Sequence, residues 1–209
     1  MKHHEKRSLN RSNLNRQDVQ EIRILGIDPG SIICGYGLIQ TLNHHQPLKK
    51  DRSVTRASKV YMDKQDFTYI TSGRITLSSK SPLHLRLRNL HETLIDIIRQ
   101  YNPHEMVVER MFFAKNVRAA LNLGHARGIA LLAAASEGLD FYEYSALEVK
   151  KAVTGYGRAD KKQVLEMVKR MLKFNAHVIT LTEDSADALA LALCHLNSKG
   201  LKKTVRNVK

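Results

Sequence analysis

Apolar residues recur along this chain in two rhythms, and the rhythm shifts from strand-like to helix-like as the chain proceeds. The stretch from Ile22 to Asp28 is short and rich in Ile and Leu, and Pro29-Gly30-Ser31 follows it, which predicts a strand and a turn. Ile33 to Gln40 predicts a second strand completing a hairpin, and a third is expected around Phe67 to Leu77. Beyond that point the period lengthens. Leu83, Leu87, Leu90, Leu94, Ile97 and Ile98 recur at helical spacing up to Tyr101, and Asn102-Pro103 supplies the stop. Ser81 is the expected N-cap, with Pro82 in the first helical position. Glu105 to Glu109 predicts a short buried strand, Asn116 to Glu137 a helix of mostly Ala, Leu and Gly, and Leu139 to Tyr144 another strand. Three helices are then expected, at Ala146–Thr154, Lys161–Lys173 and Glu183–Asn197. Three successive strands, then helices alternating with strands, imply an α/β fold with a mixed sheet and helices on both faces.

The 209 residues suit one domain with a sizeable core. That domain is expected at 22–197, after a flexible N-terminal extension at 1–21 and before a basic tail at 198–209, with a basic insertion at about 41–66. The longest apolar run, Gly128 to Ser136, is too short to cross a bilayer, and the first twenty residues lack the apolar centre of a secretory signal. Cys34 and Cys194 are far apart and each sits among apolar residues, a pattern of buried free thiols in a reducing compartment. A cytoplasmic protein without a membrane partner is the expectation.

Charge narrows the class of partner. Lys and Arg number 34 against 20 Asp and Glu, a net charge of +14, which favours a polyanion. The tail from Ser198 to Lys209 holds five basic residues and no acid. The stretch from Lys150 to Lys173 carries eight basic residues and two acids within apparently structured sequence, including Lys150, Lys151, Arg158, Lys161 and Lys162. Gly155 and Gly157 in its centre permit close backbone approach, so a phosphate-tracking surface is expected in place of plain solvated lysines.

Four acids stand where acids are costly. Asp28 ends an apolar strand before a turn, where it serves either as a turn-capping residue or as a functional carboxylate. Glu109 ends MVVE beside Arg110, with the same choice between a surface pair and a site. Asp184 and Asp187 share one face at the start of the last helix. The helix dipole and the Thr182 cap account for Glu183 and Asp184. They do not account for Asp187, which lies in the otherwise apolar SADALALAL. Taken together, four carboxylates crowding one place would repel unless they hold hard cations, and two such ions can drive phosphodiester hydrolysis. The pairs His3-His4 and His44-His45 lie in polar segments without partners at metal spacing. Phe112 and Phe113 cannot both easily face the core from a polar loop, so they either anchor the loop to the core or leave one ring exposed to stack on a base.

LGIDPG followed by GYG, then VVER with Phe112-Phe113-Ala114-Lys115-Asn116, then LGHARG, and finally DSADALALAL resemble the RuvC-type Holliday junction resolvases. The resemblance covers about Ile22 to Asn197 apart from the basic insertion. It implies an RNase H-like fold on a five-stranded mixed sheet. It also implies a homodimeric endonuclease that resolves four-way DNA junctions by paired symmetric nicks in recombination and repair. The implied cofactor is Mg²⁺, two ions per subunit, with Mn²⁺ able to substitute. Carried over position by position, Asp28, Glu109, Asp184 and Asp187 fall on the catalytic, metal-holding acids. Phe112 falls on an aromatic that meets unpaired bases near the crossover, and Lys150 and Lys161 on residues that contact the DNA backbone. The small-residue helix from Asn116 to Glu137 falls on a dimer-forming element, and a RuvA–RuvB branch-migration complex is an implied partner. The N-terminal extension and the long stretch between Gly37 and Tyr69 depart from the family pattern without touching its motifs.

Competing readings are weaker. An actin-like or Hsp70-like ATPase also begins with GID and a Gly-rich hairpin, but needs a second domain and a second phosphate loop for which 209 residues leave no room. A non-catalytic junction-binding module would not need all four acids. An RNase H-like nuclease acting on RNA is disfavoured only by the full set of motifs.

Overall fold

The computed structural model describes residues 20–43, 67–110, 117–173 and 181–206. Three strands, β1 (Gln20–Asp28), β2 (Ile33–Asn43) and β3 (Phe67–Thr76), form an antiparallel meander. Two further strands, β4 (Glu105–Glu109) and β5 (Asp140–Tyr144), add in parallel on the other side of β1, giving the order β3-β2-β1-β4-β5. The expected mixed five-stranded sheet is what forms. Its parallel half is made by helical crossovers: α1 (Leu83–Tyr101) leads to β4, and α2 (Val117–Ser136) leads to β5. The chain closes with α3 (Ala146–Thr154), α4 (Lys161–Met171) and α5 (Glu183–Arg206).

Strand alternation divides the core into two layers. Leu25, Ile27, Leu38, Met106 and Val108 face α1 and α2, whose Leu90, Leu94, Ala126, Ala130 and Ala133 close that side. Ile24, Ile39 and Val107 face α3, α4 and α5, with Val149, Val153, Val164, Val168, Leu189 and Leu193. Asp28 and Glu109 are in phase with Ile24 and Val107, so the two acids project on the α5 side.

Two local expectations are revised. Pro82 is the N-cap of α1, not its first helical residue. Its ψ of 148° is extended and its carbonyl accepts from the Leu85 and Arg86 N–H groups, so helix starts at Leu83 and Ser81 makes no cap. The last helix passes the expected end at Asn197 and runs to Arg206, so residues 198–206 of the expected tail are helical. An ion pair of Lys199 with the buried Glu105 holds part of that extension to the sheet. Glu105 also bonds His195 Nε2 at 2.8 Å, whose Nδ1 meets the Tyr144 hydroxyl at 2.8 Å. This buried polar chain fixes α5 against β4 and β5.

Candidate active site

The site is assembled where α5 crosses the hairpin. Gly26 pairs with Gly37, and Asp28 with Gly35, so three glycines form a flat patch on the α5 side of β1 and β2. A methyl group on Gly26 would stand 2.9 Å from the Ala188 carbonyl carbon, and one on Gly35 would stand 2.6 Å from that of Asp184. A helix backbone therefore lies almost directly on strand backbone, which only glycine permits. The first turn of α5 is fixed by Thr182 and Ser185, whose side chains and backbone N–H groups bond reciprocally at 3.0 to 3.3 Å. Together these contacts bring Asp184 and Asp187 to the end of the sheet where Asp28 and Glu109 emerge.

Asp28, Glu109 and Asp187 line one cleft of about 280 Å³. Its other walls are Lys150, Ala146 and Val149 of α3, Lys161 and Val164 of α4, and Leu191 of α5. Asp184 is not among the lining residues, but its charge acts on Asp28 and Asp187. Phe112 lies outside the described residues, as do both histidine pairs.

The electrostatics are those of an under-neutralised anionic pocket. Burial pushes the Asp28 carboxyl up to about 7, and the fields of Asp187, Glu109 and Asp184 add to the effect against a partial offset by Lys161. Glu109 is raised by burial and by Asp187, with Lys150 and Lys161 opposing. Asp187 is raised because burial outweighs the attraction of Lys161, whose Nζ stands 3.5 Å from its Oδ2, and Asp184 and Glu183 add smaller repulsions. The lysine side chain is 66% exposed, so water screens much of its attraction.

All-oxygen donors, burial and mutual repulsion fit a hard divalent cation. Among the described residues, no three acids, histidines or cysteines gather at the spacing of a closed metal shell. The carboxylates offer part of a shell, as Mg²⁺ with bound waters and phosphate oxygens requires.

The sequence profile of crossover junction endodeoxyribonuclease RuvC matches residues 24–195. The chain belongs to the RuvC family. A RuvC from Magnetococcus marinus is 42% identical over 178 residues, covering 85% of this chain and 86% of its own. A RuvC from Shewanella amazonensis is 45% identical over 175 residues, covering 84% and 87%. Among solved structures, T. thermophilus RuvC in complex with Holliday junction substrate superposes with a TM-score of 0.70 at 26% identity, covering 87% of this chain and 96% of that one. The yeast mitochondrial Holliday junction resolvase, at 15% identity and a TM-score of 0.56, shares the fold. The five-stranded mixed sheet with its flanking helices is accordingly the RNase H-like fold of RuvC.

Sequence reasoning missed the apolar wall of the cleft, Val149, Val164 and Leu191, which lowers the local dielectric around the acids. It also missed why the strands carry glycines. The signal was present: Gly35 and Gly37 are two apart, hence on one face with Asp28 opposite.

Proposed function

We propose that this RuvC-family chain cuts four-way DNA junctions with Mg²⁺ held by Asp28, Glu109, Asp184 and Asp187. The observation that carries the reading is the cleft in which Asp28, Glu109 and Asp187 meet Lys150 and Lys161, with Asp28 pushed up to about 7 by burial and then by its acidic neighbours. Bound there, two Mg²⁺ ions per subunit, or Mn²⁺ in their place, would polarise the scissile phosphate and acidify the attacking water. The chain's own residues do the rest. Lys150 and Lys161, on two helices flanking the acids, hold the phosphates of the strand to be cut. Val149, Val164 and Leu191 exclude bulk water and strengthen each charge interaction in the cleft. Phe112 is assigned to an unpaired base near the crossover.

Resolution requires two cuts related by a two-fold axis, so the working form is a homodimer. The outward face of α2 supports this. Val117, Leu121 and Leu132 are 70%, 59% and 53% exposed, and a methyl group on Gly124 or Gly128 would meet nothing within 4 Å. This apolar stripe is the surface a second copy would cover. Branch-migration proteins of the RuvA–RuvB kind are the further partners. No helix among the described residues is long and apolar enough to cross a membrane, and both cysteines are buried and free. A cytoplasmic site of action fits both facts.

The test is incubation of the purified protein with a synthetic four-way junction, a linear duplex and a single-stranded RNA, each with Mg²⁺ and with EDTA. Symmetric paired nicks in the junction alone, abolished by EDTA, are expected. Cleavage of RNA in preference to the junction, or cleavage undiminished by EDTA, would overturn the reading.

A further inference from the structure

One exposed aromatic stands beside the cleft without a structural task. Tyr156 is 58% exposed on the link between α3 and α4, the two helices that contribute Lys150 and Lys161 to the cleft wall. Among the described residues it is the only aromatic among the large exposed apolar side chains, and its ring and hydroxyl have no partner. Burial therefore does not explain it.

The link is rigidly built. Gly155 caps α3 in the left-handed conformation at φ 77°, with its N–H bonded to the Lys151 carbonyl. The Thr154 hydroxyl spans the turn, donating to the Lys150 carbonyl at 2.8 Å and to the Tyr156 carbonyl at 2.9 Å, and accepting from the Tyr156 N–H at 3.2 Å. Gly157 lies against the Leu147 side chain, and Ala159 is buried. Asp160 then opens α4 in a capping box with Gln163. The tyrosine is thus presented from a turn fixed on both sides, so little ordering is needed when it binds.

Its surroundings select the occupant. Lys150, Lys151, Arg158, Lys161 and Lys162 surround the turn in sequence, and two of them line the acid cleft. A strand whose phosphate sits among the acids continues along this basic wall. Lys150 lies four residues before the end of α3, about 6 Å of helix. Tyr156 lies six residues after Lys150, so at about 3.4 Å per nucleotide of strand its ring is within a few nucleotides of a phosphate held by Lys150. Bases in a continuous duplex are stacked on each other and present no free face. Bases beside a strand crossover can present one, and a flat ring takes any base regardless of identity.

We propose that Tyr156 stacks on a base unpaired near the crossover, within a few nucleotides of the scissile phosphate, and so favours junctions over duplex. This rests on the junction-cutting reading above. The experiment compares the wild-type chain with Tyr156→Ala, Tyr156→Leu and Tyr156→Phe, in EDTA, on a four-way junction and on a duplex of equal length. In parallel, 2-aminopurine is placed within three nucleotides of the cut to report stacking. Expected are a loss of junction affinity of about 5- to 150-fold for Ala and Leu, the range of base stacking on an aromatic. Duplex affinity should be unchanged, Phe should restore junction binding, and 2-aminopurine should be quenched by the wild-type and Phe proteins only. Equal losses on junction and duplex would place the ring on the backbone and overturn the proposal. So would unchanged junction binding by Tyr156→Ala, or Leu performing as well as Phe. A wild-type protein that neither binds nor cuts the junction would instead refute the underlying reading.

Discussion

Gly35→Ala tests whether the acids work because α5 lies so close to the hairpin. Gly35 pairs with Asp28 and sits beneath the first turn of α5. Its new methyl group would meet the Asp184 carbonyl group, with the carbonyl carbon at 2.6 Å and the Asp184 Cβ at 3.1 Å. Ordinary contact begins at 3.4 Å, the Asp184 carbonyl oxygen stands nearer still than its carbon, and the obstacle is backbone, so the start of α5 must retreat by more than about 1 Å. Overpacking of this kind costs about 1–3 kcal/mol. For a chain of this size that lowers Tm by about 2–12 °C. The larger consequence is chemical. The retreat carries Asp184 and Asp187 away from Asp28 and Glu109, and a misplacement near 1 Å costs about 100-fold in rate. Thermal melting, junction binding in EDTA and single-turnover cleavage with saturating Mg²⁺ separate these effects. Lower Tm, retained binding and about 100-fold slower cleavage are expected. A variant with wild-type Tm and wild-type cleavage would refute both the close approach and its role in aligning the acids.

Asp28→Asn should slow cleavage by roughly three orders of magnitude or more while leaving junction binding in place, and near wild-type cleavage would remove Asp28 from the site. The same variant has a stability signature. Folding raises the Asp28 carboxyl from 3.8 to about 7, so between those values the folded chain keeps a proton that the unfolded chain has lost, and stability falls as pH rises through that window. Removing the charge should stabilise the metal-free protein above pH 7 by up to about 4 kcal/mol and change little near pH 4. Denaturant melts in EDTA at the two pH values check this, and a pH-independent difference would contradict it. Lys161→Ala should reduce the slope of log K against log salt by about one unit, measured by titration of a labelled junction. An unchanged slope would mean the ammonium contacts no phosphate. Gly128→Leu should weaken self-association by about 1–3 kcal/mol by clashing across the α2 face. Sedimentation showing no change, or a wild-type monomer at micromolar concentration that still makes paired cuts, would put the interface elsewhere.

Local pattern determined most of the elements of this protein. The period of apolar residues is set by the backbone geometry of a strand or helix, so β1, β2, α1, β4 and α3 are legible within a few residues. The acids were legible too, because a carboxylate ending an apolar strand, as Asp28 and Glu109 do, or sitting in an apolar helix, as Asp187 does, is costly and demands a reason. Where the pattern failed, the cause was a competing local or distant contact. Pro82 became a cap because its extended ψ starts the helix one residue later than its ring suggested. Lys199 was drawn from an expected tail into helix by Glu105, a residue 94 positions away. Only the tertiary structure decided how the acids meet. Strand pairing placed Gly26, Gly35 and Gly37 in one patch, and α5 could then lie on strand backbone and carry Asp187 to Asp28. The burial and the crowding of acids that together raise Asp28 arise from groups far apart in the chain, and no local period encodes such a sum.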